Sequence, residues 1–347
     1  MTCKVCKESK KIEIVKNDFF LRIDSSDKKL NDYKNYICFN CGTIYHSPKV
    51  NLIKLFHHYN SAYRNTNSSI LLDKKNSVDL PIRFEWTGTS FLRFKAFFEI
   101  INDYKKLKLK RNDIILDYGC YQGAFLYACR KVLKTKVIGT DYNKNGLKMA
   151  QKFFDIESFI TTKNFYKKKI NAKLITLLHV FEHLDEPVEF LYNIKKNVLS
   201  KKGYIYLEIP NPYSNPLNDP THLNLYSEDT IKYILKSTNY ELCIFDKKES
   251  YKNTSLMRNN KELNIHLLAK SIDNNKKYFA PINIGPKVQE NLLKKRKFLS
   301  IIFIFIKIKF FLNNFFKTIY TITIFFCNLI SPNLAINFHK ILKKFIK

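Results

Sequence analysis

The stretch Ile115-Leu116-Asp117-Tyr118-Gly119-Cys120-Tyr121-Gln122-Gly123-Ala124-Phe125-Leu126 decides the reading of this chain. An apolar run ends on an aspartate, two glycines punctuate the next residues, and apolar residues then return at helical spacing. The pattern predicts a strand, a glycine turn and a helix. Glycine lets the backbone come close to a ligand, and a helix start presents N–H groups that lack helical partners. About 20 residues later Ile138-Gly139-Thr140-Asp141 ends a second strand, where a carboxylate can accept two hydrogen bonds from a ribose diol. Together the two stretches predict a site for a nucleoside-containing ligand. A dinucleotide would require the G-x-G-x-x-G turn around its pyrophosphate. Only Gly119 and Gly123 are present, and Asp117 beside them suits a cationic amino-acid end better than phosphate. A glycine turn of this kind also occurs with no ligand at all, so the flanking elements must carry part of the argument.

Those elements alternate in an α/β pattern over 111–272. Strands are predicted at 114–117, 136–141, 174–179 and 203–209, with a weaker one near 159–161. Helices are predicted at 119–133, 144–154, 187–199 and 227–236, and a closing antiparallel pair at 242–246 and 263–268. Pro187 suits the first turn of its helix, and Ser227 suits an N-cap. Upstream, 51–110 reads as a helical connector in which Phe91, Phe94, Phe97 and Phe98 serve as core or docking residues.

Residues 1–50 carry Cys3-x2-Cys6 and Cys38-x2-Cys41-Gly42, two pairs separated by 31 residues. Tetrahedral zinc takes four thiolates, and each such pair supplies two from one turn. Cys3, Cys6, Cys38 and Cys41 are therefore expected to hold a structural zinc ion; redox-active or degenerate pairs are the competing reading. The N-terminus shows no apolar secretory segment, and the other four of the eight cysteines are scattered, a pattern that fits a reducing cytoplasm.

The D-x-G-C-x-x-G run at 117–123 resembles motif I of class I S-adenosylmethionine-dependent methyltransferases, with Tyr121 where glycine is commonest. Leu174-Ile175-Thr176-Leu177-Leu178-His179-Val180-Phe181-Glu182-His183-Leu184-Asp185-Glu186-Pro187 resembles the segment after the fourth strand in small-molecule members such as the ubiquinone-biosynthesis type. Ile209-Pro210-Asn211-Pro212 and Thr221-His222-Leu223-Asn224-Leu225-Tyr226-Ser227 follow in that group's order, so the resemblance spans about 85–270. It implies a Rossmann-like α/β sheet with helices on both faces and S-adenosylmethionine as cofactor. Asp117, Gly119 and Gly123 would line the methionine end, Asp141 would hold the ribose, Tyr142 would lie beside the adenine, and His179 would face the sulfur. Asn164 is the candidate for a further adenine contact.

A hydroxyl or amine acceptor must also lose a proton, and histidine titrates near neutrality. His179, Glu182 and His183 at the mouth of the sheet are the candidate catalytic group, with His222 as a third histidine; cofactor lining or loop capping is the plainer reading. The run Cys38-Phe39-Asn40-Cys41-Gly42-Thr43-Ile44-Tyr45-His46-Ser47-Pro48 resembles the zinc-ribbon leader of bacterial methyltransferases of surface-sugar and antibiotic-sugar pathways. That resemblance implies a sugar or glycan-precursor acceptor in surface polysaccharide biosynthesis. The C-methylating members carry a further C-terminal domain that is not evident here, so O- or N-methylation is expected ahead of C-methylation.

The formal charge of +30 fits attraction to polyanions, and equally a codon bias toward Lys, Asn and Ile. From Asn291 to Lys347 there are eleven Lys/Arg and no Asp or Glu. The uncharged run Thr318 to Phe338 is 21 residues, long enough to span a bilayer, but Asn328, Ser331, Pro332, Asn333 and Asn337 would be costly in hydrocarbon. The basic tail 286–347 is therefore expected to be helical and to lie on an anionic membrane surface, with packing against the enzyme as the alternative. The expected location is cytoplasmic, peripheral to the inner face of the membrane. Nucleic acid is a disfavoured partner: base N-methylating enzymes show Asn/Asp-Pro-Pro-aromatic where this chain reads Leu178-His179-Val180-Phe181. RNA or protein methylation and a non-catalytic scaffold stand as competing functions.

Overall fold

A computed structural model describes residues 2–14, 34–47, 84–161, 165–214, 217, 221–248, 264–273 and 282–294. The chain forms two units, Met1–Leu292 and Leu293–Lys347, and all but the first two residues of the second lie outside the described residues. The tail expectation falls mostly there, as does Asn164. Among the described residues no helix is long and apolar enough to cross a membrane.

In chain order the elements are β1 (Lys11–Ile14), β2 (Lys34–Cys38), β3 (Ile44–Ser47), α1 (Phe84–Asp103), β4 (Ile114–Tyr118), α2 (Ala124–Leu133), β5 (Lys136–Asp141), α3 (Lys144–Phe154), β6 (Glu157–Ile160), β7 (Ala172–Leu178), α4 (Pro187–Asn197), β8 (Leu199–Pro210), β9 (Asn224–Leu225), α5 (Glu228–Ser237), β10 (Tyr240–Lys248) and β11 (Asn264–Ser271). Residues 285–294 form a last helix, α6.

The main sheet has seven strands in the order β10-β11-β8-β7-β4-β5-β6. Strands β6, β5, β4, β7 and β8 run parallel, and β11 enters antiparallel between β8 and β10. This is the expected α/β sheet, and the final antiparallel pair is also as expected. Alternation along β4 sorts its side chains to two cores. Ile115 joins Phe94, Phe97 and Ile100 of α1 and Phe125 and Leu126 of α2, while Leu116 joins Leu191 and Ile194 of α4 and Ile231 and Ile234 of α5. Helices thus cover both faces. α1, read from sequence as a connector, is part of this core: Phe97 packs edge-on against Phe125 and Tyr206.

Helix ends follow local chemistry. Asn143 accepts from the Gly146 N–H to start α3, and Ser227 accepts from the Thr230 N–H to start α5, as expected. α2 begins at Ala124 rather than at Gly119. Gly119, Tyr121 and Gly123 all have positive φ (90°, 44° and 75°), which holds the chain in a turn until position 124.

A second, antiparallel sheet joins β1, β2 and β3 to β9, a strand contributed from the far end of the main domain. Ile37, Ile44, Leu225, Val288 and Leu292 form its core. The cysteine module is therefore built into the body rather than strung ahead of it, and Val288 and Leu292 of α6 are buried against it.

Candidate active site and cysteine centre

Strand order reverses between β4 and β7, and ligands of open α/β sheets bind in the crevice at the carboxyl ends of such strands. One wall is made of backbone. The N–H groups of Gly119 and Cys120 both donate to the Thr140 carbonyl, at 2.7 and 3.1 Å, which folds the turn against the end of β5. A Cβ on Gly119 would lie 2.5 Å from Val180 Cγ2, so only glycine fits between the turn and the loop after β7. Gly123 instead faces Ala150 and Ile156, where an added Cβ would lie 3.0 and 3.2 Å away; its role in this geometry is close packing of α2 on α3. Tyr121 takes the left-handed conformation that glycine would adopt without strain, and its ring covers Gly146.

Asp141 is fixed by that turn. Its Oδ2 accepts from the Tyr121 N–H and its Oδ1 from the Asn143 N–H, both at 2.8 Å. These bonds use two of the roughly four acceptor positions of a carboxylate. Asp117 lies deeper, 2% exposed, and accepts from the Thr176 hydroxyl at 2.7 Å. Burial outweighs that bond and pushes its carboxyl up to about 7. Tyr142 shares a hydroxyl–hydroxyl contact of 3.3 Å with Tyr118. A turn that admits no side chain, with a fixed carboxylate at the next strand end, fits the nucleoside and amino-acid ends of S-adenosylmethionine.

The other wall is made of charged side chains. β7 ends where His179 adopts φ 55°, a left-handed conformation for a non-glycine residue. Its Nδ1 lies 3.3 Å from Glu182 Oε1 and its Nε2 lies 3.1 Å from Glu208 Oε1. Burial alone would push the imidazole pKa down, but the two carboxylates outweigh it and raise it. Both glutamates are 0% exposed. Burial would likewise raise Glu208, yet Arg93 and His179 hold its carboxyl well below the usual range. Arg93 of α1 approaches Glu208 Oε1 to 3.5 Å and Asn264 of β11 donates to the same oxygen at 3.2 Å. Beyond Glu182, His183 places Nε2 3.8 Å from Oε1, and its Nδ1 contacts the Thr221 carbonyl at 2.6 Å. The His183 ring lies 5.0 Å from that of His222.

The structure thus brings the predicted His179, Glu182 and His183 together, adds His222, and joins them to Arg93 and Glu208, which sequence reasoning missed. A signal for Glu208 existed. It stands inside the apolar run Tyr204-Ile205-Tyr206-Leu207-Glu208-Ile209, and a carboxylate in a buried strand requires a partner.

The four predicted cysteines also converge. Cys3 and Cys41 sulfurs are 3.5 Å apart, as are those of Cys6 and Cys38, and all four lie within 4.8 Å of one another. Zinc–sulfur bonds of about 2.3 Å in a tetrahedron put sulfurs roughly 3.8 Å apart, so the donor set fits zinc. Lys4 and Lys7 of the first knuckle both pair with Glu186, three residues beyond His183.

Residues 92–243 match the family model described as a methyltransferase domain. No curated protein matches the chain. Among solved structures, the chain is similar to a SAM dependent methyltransferase from Archaeoglobus fulgidus, at 22% identity over 52% of this chain and 94% of that one, with a TM-score of 0.40. A SAM dependent methyltransferase from Aquifex aeolicus gives 16% identity over 53% and 93%, with a TM-score of 0.41. The plantazolicin methyltransferase BpumL in complex with SAH gives 17% over 62% and 93%, with a TM-score of 0.42.

Proposed function

We propose that this chain, whose residues 92–243 match a methyltransferase domain, is a class I S-adenosylmethionine-dependent methyltransferase that methylates an oxygen or nitrogen of a sugar or glycan precursor in surface polysaccharide biosynthesis. The observation that carries the catalytic part is the two-walled crevice, with a glycine turn and Asp141 on one side and Glu182, His183 and His222 on the other. The sugar acceptor rests on the likeness of the cysteine module to the leaders of sugar methyltransferases. It draws further support from the docking of that module beside the histidine wall.

When bound, the cofactor supplies a methyl group on a sulfonium, displaced in line with its bonding pair returning to sulfur as a neutral thioether. The residues of this chain align the two partners, and alignment supplies most of the acceleration in such a displacement. Asp141 holds the ribose, Gly119 admits the amino-acid end against the backbone, and Asp117 offers negative charge to its ammonium. His179, clamped at both ring nitrogens, closes the strand at the reacting end. The Glu182 side receives the acceptor and takes part in the loss of its proton.

Cys3, Cys6, Cys38 and Cys41 hold zinc structurally in this reading: four protein sulfurs complete its coordination and leave no position for a substrate. The protein works in the cytoplasm, and its basic tail binds an anionic membrane surface. Because α6 buries Val288 and Leu292 in the body, the membrane-facing part begins after residue 292. Flotation with anionic vesicles tests the tail: a chain ending at residue 294 is expected to lose the flotation of the full chain, and equal flotation would refute the assignment.

Calorimetric titration with S-adenosylmethionine, followed by a screen of nucleotide-sugar and glycan acceptors for radiolabelled methyl uptake, tests the activity. Cofactor binding with uptake into a sugar is expected. Uptake into RNA or protein instead would overturn the acceptor assignment.

A further inference from the structure

We propose that Glu182, His183 and His222 form a divalent-metal site whose open positions receive a hydroxyl of the acceptor. The acceptor part rests on the methyltransferase reading above; the metal part stands without it. One ligand atom from each of the three residues lies within 4.8 Å of the others. Ligands at about 2.1 Å from an ion such as zinc stand roughly 3–4 Å apart, so closure around an ion needs a shift under about 1 Å.

The three residues bring one ligand atom each to the same place. The His183 Nδ1–H donates to the Thr221 carbonyl at 2.6 Å, and its Nε2 lies 3.8 Å from Glu182 Oε1. Metal-ligating histidines are oriented by this kind of bond from the second ring nitrogen to a backbone carbonyl. Glu182 is 0% exposed, and its Oε2 has no hydrogen-bond donor among the described residues. A buried carboxylate oxygen without a donor, with one ligand atom from each of two histidines grouped beside the same side chain, is suited to a cation.

The fold holds the set in place. Glu182 and His183 sit on the short turn Phe181–His183, and His222 lies two residues before β9. The Asn224 side chain donates to the Leu184 carbonyl at 2.8 Å, joining the two segments, and β9 is pinned by its pairing with β3. The cysteine module thereby positions one ligand of the second site. Two imidazoles and one carboxylate are borderline ligands that suit zinc, cobalt or manganese better than magnesium. Three protein ligands leave positions open, and an ion there lowers the pKa of a bound hydroxyl, whose proton then passes to buffer. That effect favours a hydroxyl acceptor over a carbon one.

The test is a titration of the full chain, its cysteine site already filled with zinc, with Co2+ as the probe. One equivalent of cobalt is expected, with weak visible bands of nitrogen and oxygen ligation and no sulfur-to-cobalt charge-transfer band. His222→Ala and Glu182→Gln are each expected to weaken that binding at least tenfold. His222→Ala, at a partly buried position, carries the test if Glu182→Gln does not fold. No cobalt uptake outside the cysteine site, or equal affinity in a folded His222→Ala protein, would overturn the proposal. S-adenosylmethionine binding is read in parallel by calorimetry: its loss with cobalt binding intact would sink the methyltransferase reading and leave the metal site standing.

Discussion

The two walls of the crevice are built from different materials. The β4–β5 wall is backbone: positive-φ residues, two N–H groups on Thr140, and one carboxylate held by two more. The β7–β8 wall is side chain: Arg93, Glu208, His179, Glu182, His183 and His222 in a chain of contacts. A backbone wall is written in consecutive residues, because turn geometry is local. A side-chain wall is assembled from α1, β7, β8 and the segment before β9, so one short stretch records His179, Glu182 and His183 but not Arg93 or Glu208.

Substitutions should separate the walls. Glu208→Ala should have the largest effect, on stability: it removes the buried carboxylate that Arg93 and His179 share and costs about 3–5 kcal/mol. Denaturant unfolding would check it, and S-adenosylmethionine affinity of the folded fraction should change little. A loss of affinity comparable to that of an Asp141 variant would mean the walls are one unit.

Asp117 gives the next effect, through pH. Its carboxyl is raised to about 7 in the folded chain, against about 3.9 in an unfolded one. Its contribution to stability is fully present below about pH 4 and is lost as pH rises through about 7. Relative to Asp117→Asn, the wild type should lose up to about 4 kcal/mol between pH 4 and pH 8. Parallel stability–pH curves for the two proteins would show that folding does not raise the Asp117 carboxyl.

Gly119→Ala should weaken S-adenosylmethionine binding about a hundredfold, roughly 2.7 kcal/mol, because the added Cβ meets Val180 and the φ of 90° is strained for alanine. Tyr121→Gly should be smallest. It relieves a left-handed conformation worth about 1 kcal/mol but uncovers Gly146, so a change in unfolding free energy under about 1 kcal/mol is expected.

The same contrast explains what was legible. Strand and helix positions were close because buried parallel strands read as apolar runs ended by Asp117, Asp141 and Pro210, and because Asn143 and Ser227 cap their helices locally. The four cysteines were legible from spacing alone. Phe94 and Phe97 were legible as core or docking residues, but not which strands and helices their helix packs against. Nor was the pairing of β3 with β9, which joins Ile44 to Leu225 through register rather than motif. Tyr121 read as a departure from the glycine pattern; the structure keeps the glycine-like backbone there and gives Gly146 the space that the ring needs.

The most direct test of the account is calorimetric titration of the zinc-loaded chain and its Asp141→Ala variant with S-adenosylmethionine. Binding in the micromolar range by the wild type, weakened about a hundredfold or lost in a folded variant, is the predicted result. Equal binding by the two proteins, or none by a folded wild type, would contradict it.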